Sequence, residues 1–142
     1  MRGPAIIDTN VVIAGLLTSR IDSPVARILD GMIAAAFPFV LSEALLAEYR
    51  IVMARPKLRK LHGLDDERID AILLELAHHA IVLRPRPSAR AAPDPGDQHL
   101  WDLLRAHDDL LLVTGDMRLH CASDMQSRVM APRAFIEHLR SD

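Results

Sequence analysis

The sequence predicts an α/β fold, a three-layer sandwich in which helices cover both faces of a central, mostly parallel sheet of about five strands. Short apolar segments alternate along the chain with longer amphipathic ones, which is the pattern of strands joined by helices. The strand segments are continuous apolar runs, as expected for a sheet that is covered on both faces. The 142 residues show no internal repeat and are predicted to form a single domain, residues 1–142.

The first 84 residues predict three strands and four helices. The strands are "PAIID", "FPFVL" and "IVLR", and the helices are "NVVIAGLL", "SPVARILDGMIAAA", "SEALLAEYRIVMA" and "DDERIDAILLELAHHA". Ser23 and Ser42 precede two of these helices as N-caps, and Pro24 takes a first helical position. We expect Arg55-Pro56 to end the third helix, because proline cannot continue it.

The remainder of the chain predicts two further strands and two further helices. The loop "PRPSARAAPDPGD" contains four prolines and is interpreted as a connection inside the domain. It leads into the helix "GDQHLWDLLRAH" and the strand "LLLVTGD", and the chain then runs through a weak strand, "SRVM", into a last helix, "APRAFIEHLR".

Composition and charge indicate a globular protein of a reducing compartment. No apolar run is long enough to span a bilayer, no signal peptide is evident, and the single cysteine, Cys121, excludes an intrachain disulfide. We therefore expect a cytoplasmic location. The net charge of −2 argues against a simple electrostatic hold on nucleic acid. Charge alone favours a solvated surface for the basic run 55–60 and for the second group, Arg84, Arg86 and Arg90.

Two aspartates stand at the carboxyl ends of predicted strands, where α/β sheets build their sites. Asp8 interrupts the apolar run "AIIDTNVVIAGLL", and burying such a charge is costly unless the carboxylate caps, pairs or binds a cation. Asp116 follows the strand "LLLVTGD". Each of the two could also serve only as a cap, Asp8 for the following helix and Asp116 for a turn.

Helical spacing separates the inward-facing acids from the others. Glu48 shares the apolar stripe of Leu45 and Val52, whereas Glu43 lies in the first turn, where an acid complements the helix dipole.

In the later helix, Asp94 before Pro95 is typical of an N-cap, and Asp102 points away from the apolar side. Asp97, in contrast, begins the predicted buried line of Asp97, Leu100, Trp101 and Leu104.

The four selected acids, Asp8, Glu48, Asp97 and Asp116, predict a metal site. Clustered carboxylates repel one another, and a divalent cation removes that conflict. Oxygen ligands favour Mg²⁺ or Mn²⁺ over zinc, and the sequence contains no Cys/His cluster with zinc spacing. His78 and His79 lie near a predicted helix end and are interpreted as solvated.

Five segments resemble one family in their order along the chain. "IIDTNVVIAGLL", "LSEALLAEYRIVMARPKLR", "PDPGDQHLWDLL", "LLVTGDMRL" and "VMAPRAFIEHL" are similar to the PIN-domain ribonucleases, in particular to the VapC-like toxins of bacterial toxin–antitoxin pairs. The resemblance implies that Asp8, Glu48, Asp97 and Asp116 are both catalytic residues and metal ligands. It also implies that Asn10 and Thr114 orient carboxylates or waters around the ions.

This resemblance implies a metal-dependent endoribonuclease that hydrolyses RNA phosphodiester bonds with Mg²⁺ or Mn²⁺. The attacking nucleophile would be a water activated by the ions, with no covalent intermediate. The implied partners are an RNA substrate, a second copy in a homodimer, and a cognate antitoxin that covers the acids. Arginines of 55–59 or of 84–90 would contact the RNA phosphates, and the choice between the two groups stays open.

Two positions depart from the family pattern. Gln98 stands where many relatives carry a further acid, and His99 is bulkier than expected. If Gln98 replaces a ligand, a second ion binds weakly, unless Asp94 compensates for the loss.

Two other functions remain open. A non-catalytic RNA-binding or interaction module can use the same fold, since a fold does not fix a function. A magnesium-dependent phosphotransfer or phosphatase domain is disfavoured for two reasons. The chain has no lysine after Lys60, and position 10 is asparagine rather than a second aspartate.

Overall fold

A computed structural model describes residues 3–88, 91–92, 94–121 and 128–141. The described residues form five strands and eight α-helices. The strands are β1 (Ala5–Ile7), β2 (Phe39–Leu41), β3 (Ile81–Val82), β4 (Leu111–Val113) and β5 (Val129–Met130). The helices are α1 (Thr9–Leu17), α2 (Pro24–Ile33), α3 (Glu43–Met53), α4 (Pro56–His62), α5 (Asp66–His79), α6 (Gln98–Ala106), α7 (Met117–His120) and α8 (Pro132–Arg140). A 3₁₀ turn, Pro95–Asp97, leads into α6.

The five strands form one sheet in the order β3-β2-β1-β4-β5, and every neighbouring pair is parallel. From β1 the chain adds β2 and then β3 on one side of the sheet. It then crosses to the other side of β1, where β4 and finally β5 are added. Because parallel crossovers are right-handed, this order places α1–α5 on one face of the sheet and α6 and α7 on the other. The predicted three-layer α/β/α fold is confirmed.

The order of the strands reverses between β1 and β4, which lie side by side in the middle of the sheet. Ile6 of β1 is in register with Val40 on one side and with Leu112 on the other. Ligands bind outside the carboxyl ends of the strands at such a reversal. Asp8 follows β1 directly, and Asp116 lies three residues beyond the end of β4.

Most of the strand residues belong to the hydrophobic core, together with the inner faces of the helices. Tyr49, Leu100, Trp101 and Leu104 are completely buried, which confirms the apolar stripe predicted for α6. The exception is β3, whose residues Ile81 and Val82 are exposed because this strand forms the edge of the sheet. The expectation of strands covered on both faces is therefore wrong for β3.

The predicted helix caps are present, but one helix is shorter than expected. The Ser23 hydroxyl accepts a hydrogen bond from the Ala26 amide at 3.2 Å, and Ser42 caps α3 in the same way. α2 ends at Ile33 rather than at Ala36, because Ala35 adopts a left-handed backbone with φ of 55°. The Ala36 amide then returns to the Gly31 carbonyl at 2.8 Å, which closes the helix.

Two helices were not predicted. Pro56 does not simply end α3, which stops at Met53; it begins α4, and Gly63 ends α4 with φ of 68°. The other, α7, is a single turn after Asp116. Within the described residues, none of the helices combines the length and the apolar character of a membrane span.

Candidate functional site

A pocket of 520 Å³ opens beside the carboxyl ends of β1 and β4. All four acids selected from the sequence line it, and they come from four separate parts of the chain: Asp8, Glu48, Asp97 and Asp116. Thr9, Asn10 and Arg55 add polar groups, and one wall is apolar, formed by Ile13, Ala14, Leu17 and Val52. We call this the carboxylate pocket.

Asp8 is the most buried of the four acids, with only 5 % of its surface exposed. Its Oδ1 accepts the Thr9 amide at 2.7 Å, so it caps α1. Its Oδ2 accepts the Thr114 hydroxyl at 2.7 Å and the Asn10 side-chain amide at 3.0 Å. Burial raises the pKa of Asp8 above its ordinary value, although the hydrogen bonds from Thr114 and Thr9 oppose that rise.

Thr114 and Asn10 join the ends of β1 and β4. The fully buried Thr114 hydroxyl donates to Asp8 and accepts the Asp116 amide at 3.0 Å, and Asn10 Nδ2 lies 3.2 Å from the same oxygen. Asn10 Oδ1 accepts the Gly115 amide at 3.0 Å. One network therefore fixes Asp8 and the backbone that carries Asp116. The roles implied for Asn10 and Thr114 at bound ions stay predictions.

Glu48 enters the pocket from α3 and is held by two neighbours. The Thr9 hydroxyl donates to Glu48 Oε2 at 2.6 Å, and His99 Nε2 lies 3.2 Å from the same oxygen. Neither ring nitrogen of His99 makes a well-aligned hydrogen bond to the described residues. Glu43 is exposed, as the helical spacing predicts.

Asp97 lies at the junction of the 3₁₀ turn and α6, and its side chain makes no capping hydrogen bond there. Partial burial, followed by the negative charges of Asp8, Asp94 and Asp116, raises the pKa of Asp97 to about 6. The carboxylates of the pocket therefore repel one another. A cation would relieve this repulsion.

Among the described residues, Asp116 forms its side-chain hydrogen bonds with one residue, Arg118. It caps α7 through the Arg118 amide, and the Arg118 guanidinium lies 2.9 Å from its Oδ2. This hydrogen bond holds the pKa of Asp116 below its ordinary range. Arg118 also reaches Asp94 at 3.4 Å. Asp94 caps the 3₁₀ turn as predicted, by accepting the Gly96 amide at 2.7 Å.

The donor set fits a hard divalent ion, but the four acids are not gathered around one point. Every acid of the pocket offers oxygen, which Mg²⁺ and Mn²⁺ prefer. In the part of the chain that the structure describes, no three acidic, histidine or cysteine side chains are grouped closely enough to hold a metal ion. The ligand roles of these acids therefore stay predictions, and Asp116 must leave Arg118 before it can offer both oxygens to an ion.

Gln98, which departs from the family pattern, has a structural use in the loop before α6. Its Oε1 accepts the Ala92 amide at 3.0 Å, and its Nε2 donates to Asp102 Oδ1 at 3.1 Å. Asp102 also accepts the Ser88 amide at 2.7 Å, away from the pocket, as its helical position predicts. The two side chains bind the loop to α6.

Sequence reasoning missed three residues of this region: Thr9, His99 as a neighbour of Glu48, and Arg118. The polar residue beside Asp8 was a usable signal for Thr9. The contact of His99 depends on how α6 packs against α3, whereas Arg118 lies only two residues from Asp116. Arg90 lies outside the described residues. His79 pairs with Glu75 on α5, which is consistent with an ordinary surface role.

The protein is a three-layer α/β/α domain with an acidic pocket at the carboxyl ends of its parallel strands, where the strand order reverses. The family described as "PIN domain" matches residues 4–118, and the chain belongs to this family. PIN domains are generally nucleases, which are hydrolases, and they typically use divalent metal ions. No curated protein matches the chain.

Proposed function

We propose that this protein is a metal-dependent endoribonuclease that hydrolyses RNA phosphodiester bonds with Mg²⁺ or Mn²⁺. The observation that carries the proposal is the convergence of Asp8, Glu48, Asp97 and Asp116 on one pocket of a PIN domain. The four carboxylates of the pocket offer only oxygen ligands, which suit a hard divalent ion and therefore hydrolysis by a metal-activated water.

In this proposal the four acids hold one or two ions, with Asp8 and Asp116 as principal ligands. A bound ion supplies a water of lowered pKa and neutralises charge on the phosphate. Asn10 and Thr114 keep Asp8 in a fixed orientation through hydrogen bonds of 3.0 and 2.7 Å. Thr9 does the same for Glu48 at 2.6 Å. Arg55, on the rim of the pocket, is placed to contact a substrate phosphate.

The biological part of the proposal follows from the sequence resemblance. In this part of the proposal, the protein is the cytoplasmic toxin of a toxin–antitoxin pair. It acts as a homodimer and is silenced by an antitoxin segment that covers the carboxylate pocket. The contact of Arg118 with Asp116 supports this last point, because one acid of the pocket already pairs with a guanidinium. A basic antitoxin side chain would use the same chemistry.

A second candidate is a non-catalytic module on the same fold. The ion pair between Arg118 and Asp116 favours it, because this pair occupies an acid that the enzyme needs for its metal. The two candidates differ in what a divalent ion does to the protein. An ion that binds the folded state raises the melting temperature, whereas a module without a site shows no such rise.

The deciding experiment is cleavage of structured and single-stranded RNAs by the purified protein with Mn²⁺, with Mg²⁺ and with EDTA. The test variants are Asp8→Asn, Asp116→Asn and Asp97→Asn. Asp97→Asn disturbs the fold least, since that side chain caps nothing. The matched control is Asp30→Asn, which alters an exposed acid of α2 outside the pocket. Circular dichroism verifies that each variant folds.

Cleavage that needs the metal, persists in Asp30→Asn and disappears in the three pocket variants supports the enzyme. Cleavage that survives all three indicates a contaminating ribonuclease and overturns the assignment. RNA binding without cleavage, and without thermal stabilisation by Mn²⁺, favours the non-catalytic module.

A further inference from the structure

A second cleft, of 510 Å³, lies between the loop after β3 and the outer side of α6. Arg84 and Arg86 contribute from the loop, and Arg105 and His107 contribute from the end of α6 and the residue after it. Asp102 is the only acid among the described residues that line it. We call it the arginine cleft.

The arginine cleft leads toward the carboxylate pocket. A smaller hollow of 320 Å³ shares Arg84, Pro85 and Asp102 with it and reaches His99. His99 Nε2 in turn lies 3.2 Å from Glu48 Oε2, at the edge of the carboxylate pocket. The basic and the acidic depressions are therefore neighbours along α6, with His99 between them.

The arginines of the cleft have no acidic partner in the part of the chain that the structure describes. Arg84, Arg86 and Arg105 are exposed, and none of them forms an ion pair or hydrogen bond with the residues that the structure describes. Other arginines behave differently: Arg50 and Arg59 pair with aspartates of α5. Three unpaired guanidinium groups around one concave surface create a local positive potential on an otherwise slightly acidic protein.

The one acid of the cleft is already engaged. Asp102 Oδ1 accepts hydrogen bonds from the Ser88 backbone amide at 2.7 Å and from the Gln98 side-chain Nε2 at 3.1 Å. Gln98 also holds the Ala92 amide at 3.0 Å. These bonds attach Ser88, two residues after Arg86, and Ala92 to α6, which reduces the freedom that this part of the chain loses when a ligand binds.

We propose that the arginine cleft binds the backbone phosphates of the RNA strand whose cleaved bond lies in the carboxylate pocket, an inference that rests on the proposed function. Eight helical steps separate Asp97 from Arg105, about 12 Å along the axis of α6. The contacted phosphates would thus lie a few nucleotides from the cleaved bond. Phosphate contacts fix the register of the strand without reading its bases.

The test measures binding of a fluorescein-labelled 12-nucleotide oligouridine by anisotropy in EDTA, where no cleavage occurs. The variant is Arg84→Gln/Arg86→Gln. The matched control is Arg27→Gln/Arg133→Gln, which removes two exposed arginines of α2 and α8 that line neither depression. We expect about tenfold weaker binding by the cleft variant alone, and a salt slope of log K lower by about 1.4 for two lost phosphate contacts.

Lysine restores the charge, so Arg84→Lys/Arg86→Lys should recover most of the affinity. Equal affinity of the cleft variant and the control, whether both bind normally or both lose affinity, overturns the proposal. Unchanged RNA binding combined with weaker binding of an oligoglutamate peptide also overturns it, in favour of an acidic protein partner.

The same measurements separate this inference from the proposed function. Wild-type protein that cleaves RNA with Mn²⁺, while the cleft variant keeps full affinity, overturns the cleft alone. Wild-type protein that binds the oligouridine through the cleft but cleaves none of the structured and single-stranded RNAs with Mn²⁺ or Mg²⁺ overturns the enzyme and keeps the phosphate contacts of the cleft. Wild-type protein that neither binds nor cleaves RNA overturns both.

Discussion

Arg118 holds Asp116 at two points, with Nη2 2.9 Å from Oδ2 and Nε 3.3 Å from Oδ1. The same guanidinium reaches Asp94 Oδ2 at 3.4 Å. A divalent ion that binds Asp116 therefore competes with the Arg118 guanidinium for the same two carboxylate oxygens. The two groups are two residues apart in the chain, so this competition is local and does not require the rest of the pocket to rearrange.

We expect Arg118→Gln to increase the affinity for Mn²⁺ by roughly threefold, the scale on which exposed ion pairs act. Calorimetric titration of Mn²⁺ measures the change, with Arg133→Gln as the control for the loss of one positive charge. Equal affinities of the two variants would show that Arg118 leaves Asp116 at no cost.

The raised pKa of Asp97 makes the stability of the metal-free protein depend on pH. Between its ordinary pKa of 3.8 and its folded value of about 6, Asp97 keeps its proton in the folded chain and loses it in the unfolded chain. The folded state therefore binds more protons in this window, and stability falls as the pH rises through it.

Asp97→Asn removes this loss. In EDTA, the melting temperature of Asp97→Asn minus that of wild type should be about 1–3 °C larger at pH 7 than at pH 4. This magnitude allows for solvent screening of a partly exposed group. Thermal melts across this range measure the difference, and Asp30→Asn is the control. A difference that stays constant with pH would contradict the raised pKa.

Thr114 is the buried hydroxyl that joins Asp8 to the backbone of Asp116. Thr114→Val keeps the shape but leaves Asp8 Oδ2 with one donor fewer and the Asp116 amide without its acceptor. We expect a loss of about 1–3 kcal/mol in the free energy of unfolding. Urea denaturation measures it.

The matched control is Thr18→Val, which removes an exposed hydroxyl that accepts the Arg20 amide at 3.1 Å. We expect this change to cost less than about 0.5 kcal/mol. Equal losses in the free energy of unfolding for Thr18→Val and Thr114→Val would show that the Thr114 hydroxyl stabilises the site no more than an ordinary surface hydroxyl does.

Gln98→Glu introduces the acid that the sequence resemblance leads us to expect at this position, but we expect no additional metal affinity from it. The new carboxylate would face Asp102, where Gln98 Nε2 now donates at 3.1 Å, so one bond is replaced by repulsion. Hydrogen exchange of the Ser88 and Ala92 amides should accelerate. Tighter Mn²⁺ binding with unchanged exchange would mean that position 98 turns toward the pocket.

The sequence predicted the features that rest on local chemistry. Apolar runs marked the strands, Ser23 and Ser42 marked helix starts, and Asp8, Glu48, Asp97 and Asp116 were selected by strand ends and helical spacing. The structure places all four in one pocket. It also explains why the choice was difficult, because Asp8 and Asp116 are helix caps as well as pocket residues.

The missed features depend on packing or lack a periodic signal. α4 has no buried residue, so its sequence has no apolar stripe from which a helix could be predicted. α7 has only four residues, which is too short for a periodic pattern. The contact between Gln98 and Ala92 crosses a proline-rich loop whose path is set by α6. The left-handed backbone of Ala35 ends α2 without a glycine that would have marked it.

The hydrogen bond between Thr114 and Asp8 spans 106 positions of the chain. During synthesis at about 5–20 residues per second, roughly 5–20 s pass between the appearance of Asp8 and that of Asp116. Until β4 arrives beside β1, the nascent chain has neither Thr114 nor the last acid of the pocket. Under the proposed function, a chain that ends before β4 would be inactive, and activity would begin only after nearly all of the described fold has been made.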